Sequence, residues 1–144
     1  MNKPIELGEQ THRAIKTHCA KGDSLAEEGK YEDAIAAYND AWLLIPDPKN
    51  DWEASTWVLA AVADSAYLGG YATTAREALE YGMTCPGGIG NPFMHLRLGQ
   101  VLLDCNEKDR AADELMRAYM GAGREIFAQE HSRYLSFLNS RAIL

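Results

Sequence analysis

Residues 22–46 read GDSLAEEGKYEDAIAAYNDAWLLIP, and their pattern decides the fold. Two helical halves meet at Gly29, and Pro46 closes the second. Gly22 and Ala34 are small where two helices must approach closely. Tyr31, Tyr38 and Ala41 recur at helical spacing and line the inner stripe of the second half. Gly29 allows a tight reversal, and Pro46 cannot continue the helix it follows. Glu32 and Asp33 fall in the first turn of the second half, where carboxylates complement the macrodipole. A helix pair of this size cannot bury its own apolar face, so the stretch predicts neighbours of its own kind.

Upstream, the pattern is helical from Pro4 to Glu28, with Ile5, Ala14, Ile15, Cys19, Gly22 and Leu25 at roughly helical spacing. Pro4 suits a first turn, where its missing N–H costs nothing, and Gly8 is a weak point. Downstream comes the loop PDPKND, residues 46–51. Asn50 and Glu53 stand at capping-box separation, with Asn50 or Asp51 opening the next helix. Trp52 to Leu68 carries only Glu53 and Asp64 as charges, and a helix apolar on most sides is a buried helix. Gly69-Gly70 breaks it, Tyr71 to Met83 is its partner, and Pro86 closes the pair. In the loop PGGIGNP, residues 86–92, Asn91 is a natural N-cap and Pro92 a natural first helical residue. Residues 93–120 form a third pair. In the tail, residues 121–144, Ile126, Phe127, Tyr134, Leu135, Phe137 and Leu138 form apolar clusters, with Ser132 as N-cap; the tail's simple role is to cap the last pair.

The spacing Gly22, Leu25, Gly29, Tyr31, Ala34, Tyr38, Ala41, Pro46 resembles the tetratricopeptide repeat, a two-helix unit of about 34 residues. Leu98-Gly99, Leu102, Ala111, Leu115 and Ala118 hold the same relative places in the third pair. Asn106 and Lys108 replace its turn glycine and aromatic, and Asn tolerates the left-handed conformation. The middle pair matches more weakly, with Thr74 at the place of the close-packing small residue. The resemblance spans about residues 15–123. It implies an all-α chain of three tetratricopeptide-like helix-turn-helix repeats in a right-handed superhelical stack. The repeats are expected at about 15–48, 51–88 and 92–123, and a C-terminal capping region at 124–144, all in one domain over 1–144.

At 144 residues a domain buries roughly 68–70% of its unfolded surface. No run approaches the ~18 uncharged residues of a membrane span, and MNKPIELGEQTHRA has no apolar core of a secretory signal. A cytoplasmic location is expected. Three cysteines (Cys19, Cys85, Cys105) have no metal-like spacing and read as reduced packing residues. A net charge of −7 argues against nucleic acid or an anionic membrane and suits a basic protein surface.

No catalytic constellation emerges, and no metal or cofactor site is expected. His18 and Cys19 are adjacent, so on a helix they point about 100° apart and cannot pair as base and nucleophile. His12 and His18 do not share a helical face, and nothing in the spacing gathers His95 or His131 with them. PGGIGNP lacks the lysine and the Ser/Thr of a phosphate loop, and follows a helix rather than a strand. Glu27-Glu28, Glu32-Asp33 and Asp113-Glu114 are consecutive carboxylates that read as solvated faces.

The resemblance implies that the first helix of each repeat lines a concave groove. One version of that groove grips a peptide C-terminus with lysines and asparagines. Here Cys19, Asp23, Ala60 and Phe93 stand at clamp positions and only Arg97 fits, so a clamp of that kind is not expected. The groove set reads Lys16, Cys19, Asp23, Glu27, then Leu59, Ala63, Tyr67, then Phe93, Arg97, Gln100, Asp104. Asp23, Glu27, Tyr67, Phe93, Arg97, Gln100 and Asp104 are the expected partner-binding residues, with aromatic anchors beside carboxylates. Residues 98–138 also resemble small bacterial tetratricopeptide-type proteins found beside Rhs-type polymorphic toxins. That resemblance implies an immunity protein capturing a basic toxin domain. A secretion chaperone or general adaptor holding a client segment is the alternative.

Overall fold

A computed structural model describes residues 7–144. Seven α-helices follow one another: α1 (Glu9–Glu27), α2 (Tyr31–Leu43), α3 (Glu53–Gly69), α4 (Ala72–Gly82), α5 (Pro92–Asp104), α6 (Lys108–Ala122) and α7 (Ser132–Arg141). Short 3-10 turns lie at Lys49–Asp51 and Arg124–Phe127. Among the described residues there is no strand. The helices pair as α1 with α2, α3 with α4 and α5 with α6. Each second helix packs on the next pair, and α1, α3 and α5 also meet in sequence along one side. The result is the expected tetratricopeptide-like stack.

One frame of residues repeats through all three pairs. Gly22, Ala34, Tyr38 and Ala41 are matched by Ala63, Ala75, Leu79 and Gly82, and by Gly99, Ala111, Leu115 and Ala118, at identical separations. None of the non-glycine members exceeds 2 % exposure. A Cβ on Gly99 would lie 2.6 Å from Leu115 Cγ, and one on Gly22 would run into the Tyr38 ring. The two helices of a pair therefore close on a small residue facing a large one, and any enlargement there overpacks the crossing.

The frame also fixes the turns. Gly29, Gly70 and Asn106 each stand seven residues after the frame's first member and carry φ of +76°, +84° and +64°. Behind each, the next residue's N–H bonds back to the helix: Lys30 to Leu25 O at 2.9 Å, Tyr71 to Ala66 O at 2.7 Å and Glu107 to Leu102 O at 2.9 Å. These are Schellman closures, which satisfy carbonyls left free at a helix end.

Several local expectations change. The middle pair matches the frame as well as its neighbours do, because its small residue is Ala75, fully buried, whereas Thr74 is exposed. Pro46 and Pro86 are 40 residues apart but Gly22 and Ala63 are 41, so a register counted between the prolines falls one position short. The Asn50–Glu53 capping box does not form. Residues 49–51 make a 3-10 turn, and α3 starts after Trp52 without a side-chain cap. The loop is instead held by Lys49 Nζ, which donates to Trp42 O (2.9 Å) and Ile45 O (2.6 Å), and by Trp52 Nε1, which donates to Pro46 O (2.9 Å). Helix α7 is capped by His131, whose Nδ1 accepts from Arg133 N–H at 3.1 Å, so Ser132 is its first residue rather than its cap. Asn91 caps α5 as expected, its Oδ1 accepting from the N–H of Phe93 (3.0 Å) and Met94 (3.3 Å). Helix α1 begins at Glu9 after an extended Gly8; Pro4 and Ile5 lie outside the described residues.

The core follows from this packing. Helix α3 is buried along most of its length through Val58, Leu59, Val62, Ala63 and Ala66, as its lack of charge predicts. A second cluster forms where Phe127, Tyr134 and Leu138 of the tail cover Leu96, Leu115 and Ala118 of the last pair. The tail thus buries the apolar face that an open repeat end leaves exposed.

Candidate functional site

The inner side of the stack is built by α1, α3 and α5, and the frame decides which of their residues share a level. Lys16, Trp57 and Phe93 stand six residues before its first member, and Asp23, Asp64 and Gln100 one residue after it. Leu59 and Ala63, expected in the groove, are instead packed in the core. Trp57 and Asp64 were missed, and the same one-position shift that misplaced Thr74 hid them. Trp57 is half-buried, with the His12 ring edge-on at 6.2 Å. Cys19, Ala60 and Ala61 are also half-buried, so beside the exposed Lys16 the first two repeats offer small and aromatic residues.

In the first repeat Asp23 is exposed, and it accepts a hydrogen bond from Tyr38 Oη at 2.7 Å. Burial first, then this bond, pushes the Tyr38 phenol above its ordinary value. Glu27 is exposed at the end of α1. Burial, and secondarily Asp23, raises the Cys19 thiol to about 11, so it stays a thiol at neutral pH and is a poor nucleophile.

The third repeat gathers Tyr67, Phe93, Arg97, Gln100 and Asp104 into one network. Arg97 is 6 % exposed and Gln100 fully buried. The guanidinium carbon lies 4.7 Å from the Tyr67 ring centroid and 5.0 Å from that of Phe93, close enough for cation–π attraction to both. Its Nε and Nη2 donate to Asp64 Oδ1 at 3.1 and 2.9 Å, and its Nη1 donates to Gln100 Oε1 at 2.7 Å and to Glu130 Oε1. Gln100 Nε2 donates to the same Glu130 oxygen at 2.8 Å. Tyr67 Oη lies 2.6 Å from Tyr134 Oη, which donates to Asp104, and Arg133 bridges Tyr134 and Asp104. Burial raises both phenols.

These five expected residues therefore meet one another, but much of their bonding capacity is taken up by Glu130, Arg133 and Tyr134 of the tail. Nothing in the sequence signals this, because ion pairs between residues 33 apart leave no periodicity. Asp23 and Glu27 stand apart on the first repeat, away from the Arg97 network, with the exposed Lys16 two turns before Asp23 on the same helix. Among the described residues no group of three His, Cys, Asp or Glu side chains could hold a metal ion, and no helix is long and apolar enough to cross a membrane.

No protein-family model matches the sequence, and no curated protein matches it. Solved structures do match. The type III secretion chaperone SycD of Yersinia enterocolitica, in complex with a peptide of the translocator YopD, superposes with a TM-score of 0.71 at 18% identity. A second SycD structure from the same organism, an alternative dimer, gives 0.67, also at 18%. Both alignments cover 92% of this chain and 95% of the other. At this level of identity the likeness is one of architecture, and the chain has a tetratricopeptide-like helical fold of the kind seen in these chaperone structures.

Proposed function

We propose that the protein is a non-catalytic binding module that holds a segment of a partner protein along the inner side of α1, α3 and α5, in the manner of a secretion chaperone. The observation that carries this reading is the levelled inner face. Half-buried Trp57, Phe93, Cys19, Ala60 and Ala61 line it, with the carboxylates Asp23 and Glu27 on the first repeat and the Arg97 network on the third. Such a surface suits a polypeptide with apolar side chains and a basic residue toward the first repeat. SycD, with the same architecture, was crystallised with a peptide of its translocator, which supports a segment-holding role. The toxin-immunity reading finds no counterpart in the comparisons, and the chaperone alternative displaces it.

Panning a displayed random-peptide library on the protein supplies a defined ligand for kinetic tests. Reversing charge at Asp23 and Glu27 to Lys is expected to slow association and flatten its salt dependence, since rim charges act on encounter. Trp57→Ala or Phe93→Ala is expected to speed dissociation, with a loss of about 2 kcal/mol if either ring anchors the segment. Melting curves on each variant separate lost binding from lost folding. Selected peptides that are acidic throughout, or that bind all these variants unchanged, overturn the reading.

A further inference from the structure

The Arg97 end of the inner face carries more than a structural ion pair. Arg97 and Gln100 are both removed from water, and each aims an N–H at a single oxygen, Glu130 Oε1. Asp64, on α3, serves the other edge of the guanidinium. Its side chain is 37 % exposed, against 13 % for Glu130. Asp64 pairs the charge from that side, but the buried Nη1 and Gln100 Nε2 donors still need an acceptor of their own, because a buried N–H left without one is costly.

Glu130 supplies that carboxylate from a loop, residues 128–131, slung between two buried anchors, Phe127 and Tyr134. Ala128, Gln129 and His131 are exposed, and Glu130 alone turns inward. The loop's backbone tie at this point is Glu130 N–H to Phe127 O at 3.0 Å, which does not involve the inner face. The anchors that fix the tail on α5 and α6 are separate from the Glu130 carboxylate. Releasing that carboxylate therefore leaves the cap in place.

We propose that Arg97 Nη1 and Gln100 Nε2 form a carboxylate-binding site on the inner face, that Glu130 is its resident ligand, and that an acidic side chain of a bound polypeptide displaces Glu130 from it. The source of the incoming carboxylate rests on the segment-holding reading above; the site itself does not. The consequence is a charge order. A bound segment places a basic residue at Asp23 and Glu27 and an acidic one at Arg97, which fixes its direction along the groove. Glu130 then acts as a built-in competitor that sets the affinity threshold for acidic segments and keeps both donors satisfied when no segment is bound.

The test has two arms. In the first, E130A is melted in sodium acetate and in sodium chloride at equal ionic strength, with the Arg97 side-chain signals followed by NMR. E130A is expected to melt below the parent and to recover at least half the loss with saturable dependence on acetate, the Arg97 Nε–H shifting in step. The parent and the double variant R97K/E130A are expected not to respond. Absence of a saturable acetate effect in E130A overturns the site. In the second arm, two blocked peptides are compared, one with lysine at one end, leucines and alanines between and glutamate at the other, and one with glutamine replacing the glutamate. E130A is expected to bind the glutamate peptide at least tenfold tighter than the parent does, with the glutamine peptide unchanged. Equal effects on both peptides overturn displacement. Binding of neither peptide to either protein overturns the segment-holding reading, while the acetate arm still decides the site. If E130A does not fold, E130S, whose side chain is too short to reach the two donors, takes its place in both arms.

Discussion

Asn106 is the one described non-glycine residue with left-handed backbone, and it stands where Gly29 and Gly70 stand in the other repeats. Asn106→Ala is expected to cost roughly 1–2 kcal/mol, the penalty of φ > 0 for an ordinary L-residue, and Asn106→Gly to cost nothing; chemical denaturation measures both. The buried phenols give a second residue-level outcome. Tyr38, Tyr67 and Tyr134 all have raised values, chiefly through burial. The folded state therefore holds their protons more tightly than the unfolded chain. Their stabilisation is complete below the ordinary phenol value near 10 and is lost as pH climbs beyond it. Urea midpoints taken from neutral pH to pH 11 should be level up to about pH 9 and then fall, with Tyr38→Phe reducing the fall. Asn106 was legible in the sequence because left-handed tolerance belongs to the residue itself. The partnership of Arg97 with Glu130 was not, because it depends on where a tail loop lands.

Helices carry their own kind of evidence. The pattern in residues 22–46 announced its turn, its crossing residue and its neighbours, and the same frame runs through the third pair. The middle pair is blurred in the sequence because Pro86 marks only its end, while the loops between repeats differ in length. Gly22 and Ala63 are 41 residues apart, Ala63 and Gly99 only 36, against about 34 for a bare repeat. Proline after a helix marks where it stops, whereas the crossing residues mark how it is rotated, and rotation decides which side chains reach the groove. Tryptophan placed at Thr74 and at Ala75 distinguishes the two registers. Ala75→Trp is expected to cost about 1–3 kcal/mol or more through overpacking, comparable to Ala34→Trp and Ala111→Trp. Thr74→Trp, on the exposed side, is expected to stay within about 0.5 kcal/mol of the parent. Equal melting of both variants would refute the frame.

At the scale of the whole molecule, a stack whose parts lean mainly on their neighbours loses structure from its ends. The two ends here are unlike. At one, α7 and the turn before it are sewn to the last pair, and the network from Asp64 through Arg97 to Glu130 ties the tail to the middle repeat as well. At the other, α1 carries mostly exposed side chains and leans on α2 and α3. Amide hydrogen exchange is expected to be fastest in α1 and α2, slowest in α3 and α5, and slower in α6 than in α1; the reverse order for α1 and α6 would contradict it. The clasp thus gives the molecule a polarity in time as well as in space. Opening starts at the first repeat, and a protease finds its earliest cut there. A segment laid across α1 and α3 would hold shut the very end that frays first, so occupancy of the groove would set how long the chain survives.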